Sequence, residues 1–346
     1  ATQSPAQLER ALDARLDSLV SRGFSGVVLV AIGEDIVLRR GYGYADRERG
    51  IAMSPDSVVP IASVAKQFTA AAIARLEQQG TLSVSDPITR FFPDVPAAKS
   101  RITIHQLLTH TAGFPTTVVP CSRHEAGDLE RDAFVARAMA AGLMFAPGRD
   151  HSYSNAGYEL LGAIVEIASG QDFEHYLKAE LLHPSGMFDT GYSPDTWADA
   201  DRMVVGYRAD GARWGTFHEL FWGAHGPLWC NRASGALLST LDDLRRWQAA
   251  LTRGQVLAPQ QVEKLFTPFV PGDRRTAGYG YGWEIATTAR GTRMIGHDGS
   301  ITHVFEADFR MYVDEDVLVL IAGNSGELGA NTAVRELLPV IFGSVD

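Results

Sequence analysis

Three short stretches of this sequence bring together residue types that could carry out acyl transfer: Ser63-Val64-Ala65-Lys66, Tyr153-Ser154-Asn155, and His297-Asp298-Gly299 followed by Ser300. Serine is a weak nucleophile and needs a base beside it, and a lysine stripped of water can lose its proton and serve. Val64, Phe68, Ala72 and Leu76 recur every four residues and Gly80 lies just past the run, so the spacing predicts a helix that starts at Ser63. There the serine lies near the positive end of the helix dipole, its N–H can donate to an oxyanion, and Lys66 falls one turn along on the same side. Ala65, Phe68, Ala70, Ala71 and Ile73 make the helix apolar on most sides, which buries Lys66, and a buried lysine needs a partner. Read alone, the pattern has a plainer alternative, a capping serine and a surface lysine.

Tyr153-Ser154-Asn155 follows Pro147 and Gly148 and runs into a helix that starts near Ala156. A phenol held between cations can lose its proton and act as general base toward Ser63. The Asn155 amide can hold both Lys66 and a substrate carbonyl, or simply cap the helix. His297-Asp298-Gly299 is expected to end one strand and lead through Ser300 into the next. Gly299 would let a substrate lie close to the backbone, and the Ser300 N–H would supply a second oxyanion donor beside that of Ser63.

The elements that must position these groups are legible in outline. Leu8, Leu12, Leu16 and Leu19 stripe a helix from Pro5 to Val20, and strands follow at Val27–Ile32 and Ile36–Tyr44. Further strands are expected at Tyr279–Ala286, Thr292–His297, Thr302–Val313 and Val317–Ala322, then a helix from about Ala330 to Ile341. Their connections are too short for helical crossovers, so the pairing should be antiparallel. The stretch from 80 to 200 is rich in helix signals, among them a capping box at Thr103 and Gln106 and the stripe Leu160, Leu161, Ile164 and Val165 ended by Gly170. The expectation is an α/β (α+β) fold. A sheet unit of residues 1–79 and 201–346, flanked by terminal helices, would carry an inserted helical unit, 80–200, with the site in the cleft between them.

In this order the three motifs resemble the serine β-lactamase and penicillin-binding family, whose signature is Ser-x-x-Lys with Ser-Asp-Asn and Lys-Thr-Gly elements. The Tyr-Ser-Asn variant is similar to the branch of class C β-lactamases, D-alanyl-D-alanine carboxypeptidases and family VIII esterases. Supporting stretches are Gln106 to Gly113, Ala146-Pro147-Gly148, Leu181 to Met187 and Ala233-Ser234-Gly235-Ala236. The resemblance implies a β-lactamase/transpeptidase-like fold and a serine hydrolase that acylates itself on Ser63 and acts on a small-molecule or peptide ester or amide. A class C β-lactamase and a non-catalytic penicillin-recognising sensor are the alternatives. The family's Lys-Thr-Gly is replaced by His297-Asp298-Gly299. An Asp facing the cleft would repel a substrate carboxylate and rank β-lactams below esters and peptides, whereas an Asp turned away, toward Arg293 or Arg310, would not.

Between Tyr207 and Trp229 the chain concentrates aromatic residues: Tyr207, Trp214, Phe217, Phe221, Trp222 and Trp229, with His218 and His225. They either form a wall of the cleft, with Trp222 receiving an apolar acyl or leaving group, or pack the interface between lobes. Composition narrows the rest. The 346 residues carry a net charge of −10 with no block of Lys or Arg, which argues against nucleic-acid partners, and the apolar runs fall short of the roughly 20 residues of a membrane span. Ten histidines show no ligand spacing, His105 and His110 being five apart, so no metal or cofactor is expected; His110 is read as packing the loop before Pro115. Cys121 and Cys230 are either bridged, closing a loop worth roughly 4–5 kcal/mol in the chain-entropy picture, or two buried thiols. The short polar stretch Ala1–Gln7 suits a processed periplasmic or secreted protein, with a cytoplasmic one as the alternative.

Overall fold

The apolar run Val27–Ala31 is buried throughout because it forms a strand flanked on both sides, at the meeting point of the two ends of the chain. The computed structural model describes residues 4–121, 128–192, 200–223, 226–272 and 277–343. Its main sheet has seven strands: β1 Gly26–Ile32, β2 Asp35–Tyr42, β3 Gly278–Tyr279, β4 Glu284–Thr287, β5 Arg293–Ile301, β6 Phe305–Tyr312 and β7 Val317–Gly323. They lie in the order β3-β4-β5-β6-β7-β1-β2, and every neighbouring pair is antiparallel. The register sets Val28 opposite Ile321 and Leu29 opposite Leu320.

Four helices frame this sheet: α1 Pro5–Val20, α2 Lys66–Gln78, α3 Asn155–Ser169 and α4 Ala330–Phe342. A capping box between Ser4 and Gln7, with Pro5 at the first position, starts α1, and its four striped leucines are buried. Together α1 and α4 cover the sheet face that carries Val28, Val30, Val319 and Ile321. The opposite face, with Val27, Leu29, Leu320 and Ala322, merges with α2 and α3 into one continuous core. Leu160, Leu161, Ile164 and Val165 are fully buried there, each worth about 1.5–3 kcal/mol, and α3 ends at Gly170 in the left-handed region, φ 68°. The Thr103–Gln106 capping box opens a short helix, Ile104–Leu108. Among the described residues no helix is long and apolar enough to cross a membrane.

Two expected strands differ. Tyr279–Ala286 is not one strand but two, β3 and β4, because the chain turns at Gly282, φ +78°, to reach α2. A Cβ on Gly282 would stand 2.7 Å from the Lys66 carbonyl oxygen. His297-Asp298-Gly299 does not end its strand either. It lies inside β5, which runs on to Ile301, and the turn falls at Thr302 and His303, both with positive φ. Gly299 is there for close approach rather than for turning. Cys121 and Cys230 are bridged, with Cα atoms 5.5 Å apart.

Candidate active site

Ser63 sits in a single 3₁₀ turn, Ala62–Ala65, that runs directly into α2. The residue before it, Ala62, holds φ at 47°, a left-handed conformation that costs a non-glycine residue about 1–3 kcal/mol and persists only where the surroundings impose it. The surroundings are β5. A Cβ on Gly299 would lie 2.6 Å from the Ser63 nitrogen and 2.8 Å from Ala62 Cβ, so only glycine lets strand and turn meet backbone to backbone. Strand β4 pairs with β5 as far as Gly296, so β5 continues toward Ser63 past its last partner in β4.

Lys66 is fully buried, and its Nζ lies 3.1 Å from Ser63 Oγ and 2.8 Å from the Ser234 carbonyl oxygen. Desolvation pushes its pKa down to about 7, against the opposing pull of the nearby Glu159 carboxylate. Glu159, also fully buried, is raised to about 7 by the same loss of water, while hydrogen bonds from the Ser234 side chain and from the Ala233 and Ser234 N–H groups work the other way. Tyr153 arrives from the loop before α3, where Ser154, not Asn155, is the cap: its side chain accepts from Gly157 N. His110 pins that loop, taking the Ser152 N–H on its carbonyl and the Ser154 N–H on Nδ1. The Lys66 ammonium group stands 4.8 Å above the Tyr153 ring.

A family model described as Beta-lactamase matches residues 6–337. The chain belongs to the beta-lactamase family. Esterase EstB of Burkholderia gladioli is 34% identical over 220 residues, 58% of this chain and 55% of the esterase. A penicillin-binding protein from Bacillus halodurans superposes with a TM-score of 0.80 at 27% identity, over 96% of this chain and 99% of that one. D-amino acid amidase from Ochrobactrum anthropi, complexed with L-phenylalanine, gives 0.81 at 25% identity, over 97% and 98%. The chain spans less than two thirds of the length of the curated relatives it matches first.

Within this member of the beta-lactamase family Lys66 stands beside Tyr153 as one of the expected cations, but His297 does not supply a second. His297 donates from Nδ1 to the Asp298 carbonyl at 2.5 Å and accepts on Nε2 from the Tyr279 hydroxyl at 3.0 Å, so both ring nitrogens are engaged in the neutral form. Burial and the neighbouring Lys66 hold its pKa down at about 4. The Tyr153 hydroxyl is buried without a hydrogen bond, and burial drives its pKa well above 10, the nearby Ser63 hydroxyl opposing only in part. The phenol is therefore protonated, which corrects the expectation of a phenolate held between cations. Asn155 does not hold Lys66 either; the Ser234 carbonyl does, and the Asn155 Oδ1 is buried without a partner.

Asp298 is turned away. It stands opposite Asp308 on β6, on the sheet face that α4 covers, and accepts from Asn331 Nδ2 at 3.2 Å. The expected arginines are occupied elsewhere, Arg310 with Asp308 and Arg293 with the Phe266 carbonyl. Trp222 is not brought to the cluster. Its ring packs edge-on against His218, 3.9 Å between centroids, and no ring contact or hydrogen bond among the described residues joins it to Ser63, Lys66 or Tyr153. Phe217, Phe221 and Trp229 are buried in the core; His225 lies outside the described residues. Sequence reasoning passed over Glu159, named Ser234 only within a supporting stretch, and gave His110 only a packing role. The signal for Glu159 was an acid between Tyr158 and Leu160 in an otherwise apolar run.

Proposed function

We propose that the chain is a serine hydrolase of esters or amides in which Ser63 forms the acyl-enzyme, at the junction of the sheet unit 1–79 and 201–346 with the helical unit 80–200. The observation that carries this is Ser63 Oγ at 3.1 Å from the Nζ of a fully buried lysine whose pKa lies near neutrality. In its neutral form Lys66 accepts the Ser63 proton while donating to the Ser234 carbonyl. The oxyanion is held by the N–H groups of Ser63 and Ser300, brought alongside by the contact at Gly299. Tyr153, protonated, gives its proton to the leaving group and recovers it from Lys66; water then cleaves the acyl-enzyme. Asn155, with a buried and unpartnered carbonyl, orients the substrate.

The ester and amide reading draws support from the esterase and the D-amino acid amidase among the similar proteins. One observation favours a second reading, a class C type β-lactamase: the Asp298 side chain is held by Asn331 on the face that α4 covers and does not point at the carboxylate of a β-lactam, although its charge still bears on Tyr153 and His297. Neutral, fully engaged His297 still offers such a carboxylate no cation, which ranks uncharged esters and amides first. The bridge between Cys121 and Cys230 supports a periplasmic or secreted location.

The test is a panel of p-nitrophenyl esters, a chromogenic cephalosporin and a D-alanyl-D-alanine peptide, followed by product release and intact mass. Turnover with an acyl adduct that is lost in Ser63→Ala is expected. An adduct that persists in that variant removes Ser63 as nucleophile, and acylation without turnover supports a sensor instead.

A further inference from the structure

A carboxylate without an ion pair is costly in an apolar core, and Glu159 is such a group: fully buried on α3 among Ala156, Leu160 and Ala163, with no ion pair on it among the described residues. What it does hold is backbone. Its oxygens accept from Ala233 N, 3.1 Å to each, and from Ser234 N at 2.8 Å. The carbonyls of the same two residues reach α2. Ala233 O accepts from Thr69 Oγ1 at 2.6 Å, and Ser234 O accepts from Lys66 Nζ at 2.8 Å. Close passage of α3 makes this possible, since a Cβ on Gly162 would meet Ala233 Cβ at 2.5 Å.

We propose that Glu159 is a positioning residue for the Ser63–Lys66 pair: it clamps the Ala233–Ser234 turn so that both carbonyls face α2, and its charge, acting across one residue, Ser234, favours the protonated state of Lys66. The clamp fixes where the lysine points, and the charge sets the pH at which the lysine becomes a base. The other titratable groups around the pair are Tyr153 and Tyr158 beside Lys66, His297 and His110 whose protonation Lys66 opposes, Tyr192, whose ionisation Glu159 opposes, and the carboxylates of Glu284 and Asp298, which bear on Tyr153. The tyrosines and histidines are held neutral by burial, and Glu159 is the carboxylate whose charge acts on Lys66.

The proposal rests on Lys66 as the base and is tested by kcat/KM for p-nitrophenyl acetate against pH in the wild type, Glu159→Gln and Glu159→Asp. Gln keeps a carbonyl acceptor for the turn but removes the charge, so the acid limb moves to lower pH; a move of half a unit raises the ratio of kcat/KM at pH 6 to that at pH 9 roughly threefold. Asp keeps the charge and shortens the reach, so the limb stays in place while the plateau falls. An unmoved limb in Gln, or the same profile for Gln and Asp, overturns the proposal. If Gln does not fold, the carboxyl ¹³C signal of Glu159 in the wild type decides. A signal still ionised, or titrating, across the acid limb supports the coupling, and a signal already protonated throughout the limb, with no charge where Lys66 gains its proton, overturns it. The nucleophile assignment fails separately, through an adduct that survives Ser63→Ala.

Discussion

Water is the reagent that the buried groups around Ser63 lack, and its absence sets each of their protonation states. Lys66 loses the solvent that would hold its charge, so at neutral pH part of the population already has a free amine 3.1 Å from the nucleophile. The sign of the pH dependence follows. Protonated Lys66 cannot accept the Ser63 proton, and its pKa has fallen from 10.5 to about 7, so kcat/KM should drop on the acid side of an apparent pKa near 7 and stay level above it, where an ordinary lysine base would give a limb above pH 10. A stopped-flow profile of acylation between pH 5 and 9 checks this. Protonated Tyr153 is suited to giving a proton to the departing group, a role that Tyr153→Phe would impair most for poor leaving groups.

At the scale of elements, the site is one strand, one turn and the start of two helices, joined where glycine removes a side chain. Gly299→Ala should set a methyl against the Ser63 backbone nitrogen, and a Cβ fixed to its own backbone cannot swing aside. The expected cost is about 1–3 kcal/mol in stability, with a fall in acylation of about tenfold or more as the oxyanion donors separate; thermal unfolding and kcat/KM report the two effects. Much of this was legible in the sequence. Four-residue spacing after Ser63 located α2, and the apolar faces of Ala70, Ala71 and Ile73 correctly foretold a buried lysine. Side-chain direction along β5 was not legible, because Gly299 has the composition of a turn and only contact with Ala62 explains it as a strand residue. For the same reason the break between β3 and β4 was missed: Gly282 bends the chain to meet α2, a contact between segments far apart in sequence. Glu159 escaped notice because the groups it bonds are backbone N–H groups, which no side-chain motif announces.

The whole molecule is tied together by two core clusters, one on each face of the sheet, and a disulfide. The disulfide joins cysteines 109 positions apart and closes a loop that includes Tyr153, Asn155 and Glu159, so the chain between its ends is confined even when unfolded. Replacing both cysteines by serine should lower stability by about 2–5 kcal/mol, read from urea unfolding of the variant beside the oxidised and reduced wild type. The continuous core from the sheet through α2 to α3 means that such a loss is felt at Ser63 as well as near Cys121. The sheet itself has a further consequence, in the order of synthesis. Strand β1 is made early, yet it lies between β2 and β7, and β5 must be in place before Gly299 can close on the turn that carries Ser63. A chain emerging from the ribosome therefore holds its serine and lysine long before it holds the surface that aligns them, and gains a working nucleophile only when the later strands have docked.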